Sequence, residues 1–240
     1  DADVTSYVVT GQDAEEASVQ YIIDGKQQMT VLKDVRTLVA DAITAAVAYL
    51  EGKTPEKTTT YDNGKIEVPA KPSEVVTVDK ANVKEAIIDS GYWPASDFTG
   101  LDESAATAAP EVTGSVGVVL PTKDEPRWIQ DETRFKEALE AAGYEVEILF
   151  SQGDSAKEKA NVEALVAKGI KVLVICPQDG TAAAAAAEEA RAAGVKVISY
   201  DRLIRDTDAV DYYVTFDSVA VGEAWGQYLV DNATGTGNNL

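Results

Sequence analysis

The feature that most constrains this fold is the regular alternation of apolar and amphipathic segments over residues 115–232. Short apolar runs such as "SVGVVLP", "IKVLVICP" and "VKVISY" alternate with longer amphipathic segments, three of which end at Gly143, Gly169 and Gly194. Strands that are apolar along their whole length are typical of parallel sheets, because helices cover both faces of such sheets. The sequence therefore predicts an α/β fold with a doubly wound parallel sheet.

The segment before residue 96 follows a different pattern. Its predicted strands are "TSYVVTG", "QQMTVLK", "KIEVPA" and "SEVVTV", and its predicted helices are "DAEEASVQYIIDG", "VRTLVADAITAAVAYLEG" and a short one near "ANVKEAIIDSG". These elements do not make a complete sheet by themselves. Residues 96–114 lose periodicity and are rich in Ser, Thr, Ala, Gly and Pro, which predicts a flexible linker. The alanine run at 182–187 instead predicts a close-packed helix.

Composition excludes several classes of function. The chain has 21 Lys and Arg against 41 Asp and Glu, and the formal net charge of −20 disfavours nucleic acids and anionic membranes as partners. The chain has no histidine, which excludes Ser-His-Asp and Cys-His catalysis and His-ligated metal sites. The single cysteine, Cys176, lies in an apolar strand pattern and is predicted to be a buried small hydrophobe.

Polar side chains follow most of the predicted strands. In open parallel sheets, ligands bind at the carboxyl ends of the strands, so these residues form a candidate site. They are Lys123, Arg127, Trp128, Gln178, Asp179, Asp201, Arg202 and Asp217, with Asp13 and Lys33 in the first segment. A carboxylate accepts hydrogen bonds from two hydroxyls, a guanidinium donates to two vicinal oxygens, and an aromatic ring covers apolar C–H groups. The set therefore suits a pyranose.

All of these residues except Arg127 also have a purely structural explanation. Asp13 precedes Glu16 by three positions, as the first residue of a helix capping box does. Helix capping likewise explains Asp217, and core packing explains Trp128. Asp201 and Arg202 are explained by a structural ion pair, and a solvated surface position explains Lys33, Lys123, Gln178 and Asp179. The sequence leaves the functional and the structural explanation open at each position.

Four sequence blocks carry a resemblance to known proteins: "VGVVLPTKDEPRW", "GIKVLVICPQDGT", "GVKVISYDRLIRDTDAVDYYVTFD" and "VTGQDAEEASVQYIIDGKQQMTVLKD". They resemble the bacterial periplasmic sugar-binding proteins of the ribose/galactose/xylose type, and within them the xylose-binding and multiple-sugar-binding group. The resemblance implies two α/β lobes that close by a hinge on a monosaccharide such as xylose or glucose, with no enzymatic activity and no cofactor. Matched block by block, it implies as sugar-binding residues Arg127, Trp128, Asp201, Arg202, Asp13, Lys33 and Lys123.

The order of the blocks departs from that family. In the family the "VGVVLP" block comes first and the "GQDAE" block near the end, whereas here the order is reversed. We therefore expect a circular permutation, with much of the second lobe missing after "DNATGTGNNL". The predicted domains are a first sugar-binding lobe at 115–232 with 28–52 packing back on it, and second-lobe remnants with crossing strands at 1–27 and 53–95.

The resemblance also implies partners and a location. An ABC permease or a sensor ectodomain is expected as the partner of the parent protein, which is expected to be periplasmic or extracellular with a lipoprotein anchor. The surface exposed by the missing lobe is expected to allow self-association. A competing hypothesis is an isolated or engineered single-lobe scaffold with little or no sugar affinity. The absence of a phosphate loop, a nucleophile elbow and a helix-turn-helix disfavours an enzyme or a transcription factor.

Overall fold

The structure is a computed structural model that describes residues 8–99 and 115–232. The described residues divide into two compact units. Unit 1 comprises residues 8–34, 74–99 and 217–232, and unit 2 comprises residues 35–73 and 115–216. Most of the predicted linker, residues 100–114, and the "TGTG" segment at 234–237 lie outside the described residues.

Helices and strands alternate along most of the described chain. In the first segment they are α1 (Glu16–Ile23), β1 (Met29–Leu32), α2 (Val35–Leu50), β2 (Thr59–Asp62), β3 (Glu67–Ala70), β4 (Val76–Asp79), a π-helix (Lys84–Asp89) and a short 3₁₀ helix (Ala95–Asp97). In the second they are β5 (Ser115–Leu120), α3 (Pro126–Ala141), β6 (Glu145–Phe150), α4 (Ser155–Ala167), β7 (Val172–Ile175), α5 (Ala184–Ala192), β8 (Lys196–Tyr200), β9 (Tyr212–Val214) and α6 (Ser218–Asn232).

Unit 2 is built on a sheet whose described strands have the order β2-β3-β9-β8-β7-β5-β6. All neighbouring pairs are parallel except β2 and β3, which are antiparallel. The register aligns Val118 with Val174, and Val174 with Ile198. The predicted parallel α/β sheet is therefore confirmed, with one antiparallel strand at its edge.

Helices cover both faces of this sheet, which explains its apolar strands. Helices α4 and α5 pack on the face that carries Val119, Leu173 and Val197. The next residues along each strand point to the opposite face and are also buried, and α2 lies against β7, β8 and β9 beside α3. Ala186, Ala187 and Ala190 of α5 are buried, which confirms the prediction of a close-packed alanine helix.

Unit 1 is smaller and contains the antiparallel pair β1 and β4. Helix α6 packs on β1, where the Trp225 indole donates to the Gly11 carbonyl at 2.9 Å and the Tyr228 hydroxyl donates to the Gln28 carbonyl at 3.1 Å. These contacts place α6 in unit 1, although the predicted lobe ran to residue 232. Residues 53–73, which were predicted together with the second-lobe remnants, belong to unit 2.

Two further observations bear on the predicted organisation. The first residues of the predicted linker are packed, since Phe98 is buried and the Thr99 backbone N–H donates to Gln20. Within the described part of the chain, no helix is both long enough and apolar enough to span a membrane.

Candidate functional site

The candidate site in unit 2 centres on an ion pair between Arg127 and Asp201. Helix α3 begins at Pro126, a residue favoured in the first turn, and this places Arg127 near the carboxyl end of β5. Asp201 directly follows β8. The Arg127 Nη2 donates to the Asp201 Oδ1 at 2.7 Å, and the two side chains are only 8% and 14% exposed. Burial lowers the pKa of Arg127, but the carboxylates of Asp201 and Asp131 raise it well above its ordinary value.

The backbone of Asp201 is held in an uncommon conformation. Its φ angle is 61°, in the left-handed region that Asp tolerates better than most residues with a side chain. Strand β9 fixes the residue, because the Asp201 N–H donates to the Val214 carbonyl at 2.7 Å and the Asp201 carbonyl accepts from the Tyr213 hydroxyl at 3.0 Å. The turn therefore ends β8 abruptly and directs the carboxylate toward Arg127.

Arg202 is not the ion-pair partner of Asp201, so the explanation of these two neighbours as a structural ion pair is wrong. The two neighbouring side chains have different partners, Arg127 for Asp201 and the Pro177 carbonyl for Arg202. The Arg202 Nη1 donates to the Pro177 carbonyl at 3.2 Å, at the carboxyl end of β7. The Asp201–Arg127 pair escaped the sequence analysis because the two residues are 74 positions apart.

Two guanidinium groups lie close to the Trp128 ring. The Arg127 Cζ is 4.6 Å and the Arg202 Cζ is 5.4 Å from the Trp128 ring centroid, distances at which cations are attracted to an aromatic face. The Trp128 Nε1 donates to Glu125 Oε2 at 2.9 Å, and the residue is 2% exposed. This burial agrees with core packing, and stacking of Trp128 on a sugar stays a prediction.

Asp131 is a buried acid that the sequence analysis missed. It is 0% exposed, and its Oδ2 lies 3.8 Å from the Arg127 Nε, one helical turn away. Burial raises the pKa of Asp131 to about 7, although Arg127 opposes the shift. The signal in the sequence was its spacing, since Trp128, Asp131 and Phe135 share one face of an amphipathic helix and the other two are buried.

Lys123 follows β5 but has its contacts at the periphery. Its Nζ lies 2.7 Å from Glu132 Oε2 and 4.5 Å from the ring centroid of Phe150, and its side chain is 56% exposed. This geometry agrees with a solvated surface position. A role for Lys123 in sugar binding stays a prediction.

The remaining polar residues after the strands have local structural roles. The Asp179 carboxylate accepts from the Thr181 and Ala182 backbone N–H groups. Asp217 accepts in the same way at the start of α6, which confirms its explanation as a helix cap. The Gln178 N–H donates to Glu158 Oε2 at 2.8 Å, and burial raises the pKa of the Glu158 carboxyl.

In unit 1 the two predicted residues form their own ion pair. The Lys33 Nζ lies 2.9 Å from Asp13 Oδ1, with side chains 14% and 23% exposed. Asp13 has a φ of 72°, and its N–H donates to the Val31 carbonyl at 2.8 Å. The capping-box explanation for Asp13 is wrong, because α1 begins at Glu16 with Glu15 in the capping position.

Comparison with known proteins identifies the family. The sequence profile of the periplasmic binding protein domain matches residues 116–239, just over half of the chain. The chain therefore belongs to the periplasmic binding protein family, and the predicted resemblance and fold class are confirmed. The predicted circular permutation stays a prediction.

Three relatives illustrate the match. The chain is 41% identical over 133 residues to the multiple sugar-binding periplasmic protein SbpA of Azospirillum brasilense, covering 55% of this chain and 36% of that protein. It is 44% identical over 118 residues to the multiple sugar-binding periplasmic receptor ChvE of Rhizobium radiobacter, covering 49% and 33%. A solved structure of a carbohydrate transporter solute-binding protein from Chloroflexus aurantiacus, in complex with D-glucose, is 82% identical with a TM-score of 0.51, covering 53% and 37%. The chain thus spans about a third of the length of these relatives.

Proposed function

We propose that this chain binds a monosaccharide non-covalently and derives from the solute-binding component of an ABC-type sugar import or sensing system. The observation that carries the proposal is the 2.7 Å Arg127–Asp201 pair at the carboxyl ends of β5 and β8. A guanidinium carries several N–H donors in one plane, and a carboxylate paired with it retains acceptor positions for hydroxyl groups. Such a pair can bind two vicinal hydroxyls of a sugar ring.

The surroundings of the pair support a polar ligand of defined shape. Arg202 provides a second guanidinium, whose Cζ lies 5.4 Å from the Trp128 ring centroid, at the edge of the sheet formed by the carboxyl ends of the strands. Both members of the Arg127–Asp201 pair are largely buried, so an analogue without the matching hydroxyl would leave a buried polar group unsatisfied. We propose Arg127, Trp128, Asp201 and Arg202 as the sugar contacts of unit 2.

The relatives indicate which sugars to test first. SbpA and ChvE are named as binding multiple sugars, and the Chloroflexus aurantiacus protein was solved in complex with D-glucose. D-glucose is therefore the first candidate ligand, and D-xylose is the second because of the resemblance of the sequence blocks. Asp13 and Lys33 in unit 1, and Lys123 in unit 2, are proposed as additional contacts, each to be tested by its own substitution.

Isothermal titration with D-glucose and D-xylose tests the proposal, with the open-chain polyol D-sorbitol as a control ligand. We expect saturable heat with at least one sugar, and at least a ten-fold loss of affinity in Asp201→Asn, which keeps the side-chain size. Glu147→Gln is the matched control and should leave the affinity unchanged. Glu147 lies on β6 and forms an exposed ion pair with Lys168. No heat from the folded wild-type chain would contradict the proposal and favour a scaffold without sugar affinity.

We also propose a periplasmic location and, for the parent protein, a permease or sensor domain as partner. The names of the relatives support the location, since both curated proteins are described as periplasmic. A lipoprotein anchor and self-association of this chain stay predictions. The molecular mass of the chain in solution, measured with and without D-glucose, tests the self-association.

A further inference from the structure

Helix α3 buries a carboxylate at a position where an amphipathic helix normally carries an apolar residue. Asp131 lies on the same face as Trp128 and Phe135, and all three are at most 2% exposed. The Tyr200 hydroxyl is close enough to Asp131 to lower its pKa, but within the described residues neither carboxylate oxygen of Asp131 makes a hydrogen bond of normal geometry. A buried acid without such bonds is costly, so its presence calls for an explanation from its neighbours.

The neighbours of Asp131 belong to three elements. On α3 itself are Arg127 and Arg134, on and just after β8 are Tyr200 and Asp201, and directly after β7 is Cys176. The closest cation is Arg127, whose Nε lies 3.8 Å from the Asp131 Oδ2 and whose Nη2 lies 2.7 Å from Asp201. Two carboxylates therefore approach the same guanidinium along different edges.

This arrangement can control the orientation of the guanidinium. The Arg side chain has several rotatable bonds, so the charged groups around it influence the plane of its guanidinium. The Asp131 carboxylate, 3.8 Å from Nε without a hydrogen bond to it, attracts this edge of the group electrostatically while the Arg127 Cζ lies 4.6 Å from the Trp128 ring centroid. A fixed plane matters because the donors of a guanidinium bind two oxygens only when they are aligned with them.

We propose that Asp131 is a positioning residue: its ionised carboxylate holds the Nε edge of Arg127, and sugar affinity depends on that contact. The inference rests on the proposed function, because Arg127 is taken as a sugar contact. Asp131 acts through Arg127 and need not touch the ligand.

The same geometry makes the contact sensitive to pH near neutrality. Burial raises the pKa of Asp131 to about 7, and the charge of Asp201 adds to the shift, while Arg127, Tyr200 and Arg134 oppose it. Asp131 therefore gains a proton as the pH falls through this range. Protonation removes the charge that holds the Nε edge, and affinity should fall with it.

Sugar titrations at pH 8 and pH 6 test this inference, using wild type, Asp131→Asn and the control Glu137→Gln. Glu137 is an exposed acid on the same helix. We expect wild type and Glu137→Gln to lose about five-fold in affinity between pH 8 and pH 6, as the ionised fraction falls and the weaker-binding protonated form takes its place. Asp131→Asn should bind about ten-fold more weakly than wild type at pH 8 and show no further loss at pH 6. Equal affinity of Asp131→Asn and wild type at pH 8 would overturn the inference.

A second measurement needs no sugar and separates the two proposals. The arginine Nε–H resonance of Arg127, followed by NMR between pH 5.5 and pH 8.5, should titrate with a midpoint near 7 in wild type and not in Asp131→Asn. If the resonance titrates but no sugar binds, the proposed function fails and the contact between Asp131 and Arg127 stands. If sugar binds but neither the Arg127 Nε–H resonance nor the sugar affinity changes with pH, the inference fails and the proposed function stands. If Asp131→Asn does not fold, the inference is decided by the pH dependence of sugar affinity and of the Arg127 Nε–H resonance in wild type.

Discussion

The carboxylate of Asp201 lies 2.7 Å from the guanidinium of Arg127, although the two residues are 74 positions apart in the chain. Parallel pairing brings them together, because β5 and β8 run in the same direction with only β7 between them. Their carboxyl ends therefore meet at one edge of the sheet. The pair exists only when the sheet is formed, and it joins the start of α3 to the end of β8.

The backbone at residue 201 should make Asp201→Ala more destabilising than Asp201→Asn. Both changes remove the charge paired with Arg127, but the φ of 61° is tolerated by Asn better than by Ala. We expect the free energy of unfolding, from urea denaturation, to be about 1 kcal/mol lower for the Ala variant than for the Asn variant. Equal stability of the two variants would show that the left-handed conformation imposes no strain.

Stability should increase as the pH falls from 8 toward 5.5 because of Asp131. Its pKa is raised to about 7 in the folded chain against an ordinary value of 3.8, so between these values the folded state binds a proton that the unfolded state does not. The free energy of unfolding then rises by up to about 1.4 kcal/mol per pH unit of decrease. We would measure the free energy of unfolding by urea denaturation at several pH values. It should change less steeply with pH in Asp131→Asn than in wild type, and the same pH dependence in both would contradict this prediction.

The buried carboxylate of Glu158 should stabilise the loop after β7 through its acceptor atoms. It is 1% exposed and accepts from the Gln178 backbone N–H at 2.8 Å. Glu158→Ala removes that acceptor and should lower the free energy of unfolding by roughly 1–3 kcal/mol, whereas Glu158→Gln keeps an acceptor oxygen and should cost less. Thermal and urea denaturation of the two variants test this, and a Gln variant as unstable as the Ala variant would argue against the hydrogen bond.

Two glycines should respond in opposite ways to substitution by alanine. A Cβ at Gly180 would lie 2.5 Å from the Leu203 carbonyl oxygen, so Gly180→Ala must displace the backbone and should destabilise the chain. A Cβ at Gly222, inside α6, would meet nothing within 4 Å. Gly222→Ala should therefore raise the free energy of unfolding by about 0.5–1 kcal/mol. Urea denaturation of both variants provides the comparison. A Gly180→Ala variant at least as stable as wild type would contradict the close approach.

Much of the fold could be predicted from local patterns. The strands β5, β7 and β8 are buried on both faces, and their continuous apolar sequences indicated this directly. The alanine run formed a packed helix because small side chains at 186, 187 and 190 allow α5 to lie close to the sheet. The unit to which α6 belongs could not be read from its sequence, because the apolar residues of an amphipathic helix do not specify which surface the helix covers.

The sequence by itself determined the family, the alternation that makes the sheet parallel, and the edge of the sheet where its polar residues gather. These follow from periodicity and residue type, which act over short stretches of chain. The tertiary structure decided the pairings: Asp201 with Arg127 instead of Arg202, Asp13 with Lys33 instead of a helix cap, and Asp131 buried behind Arg127. Such pairings depend on strand order and on single backbone angles, because an ionic contact requires two side chains within about 4 Å, and spacing along the chain does not specify that distance.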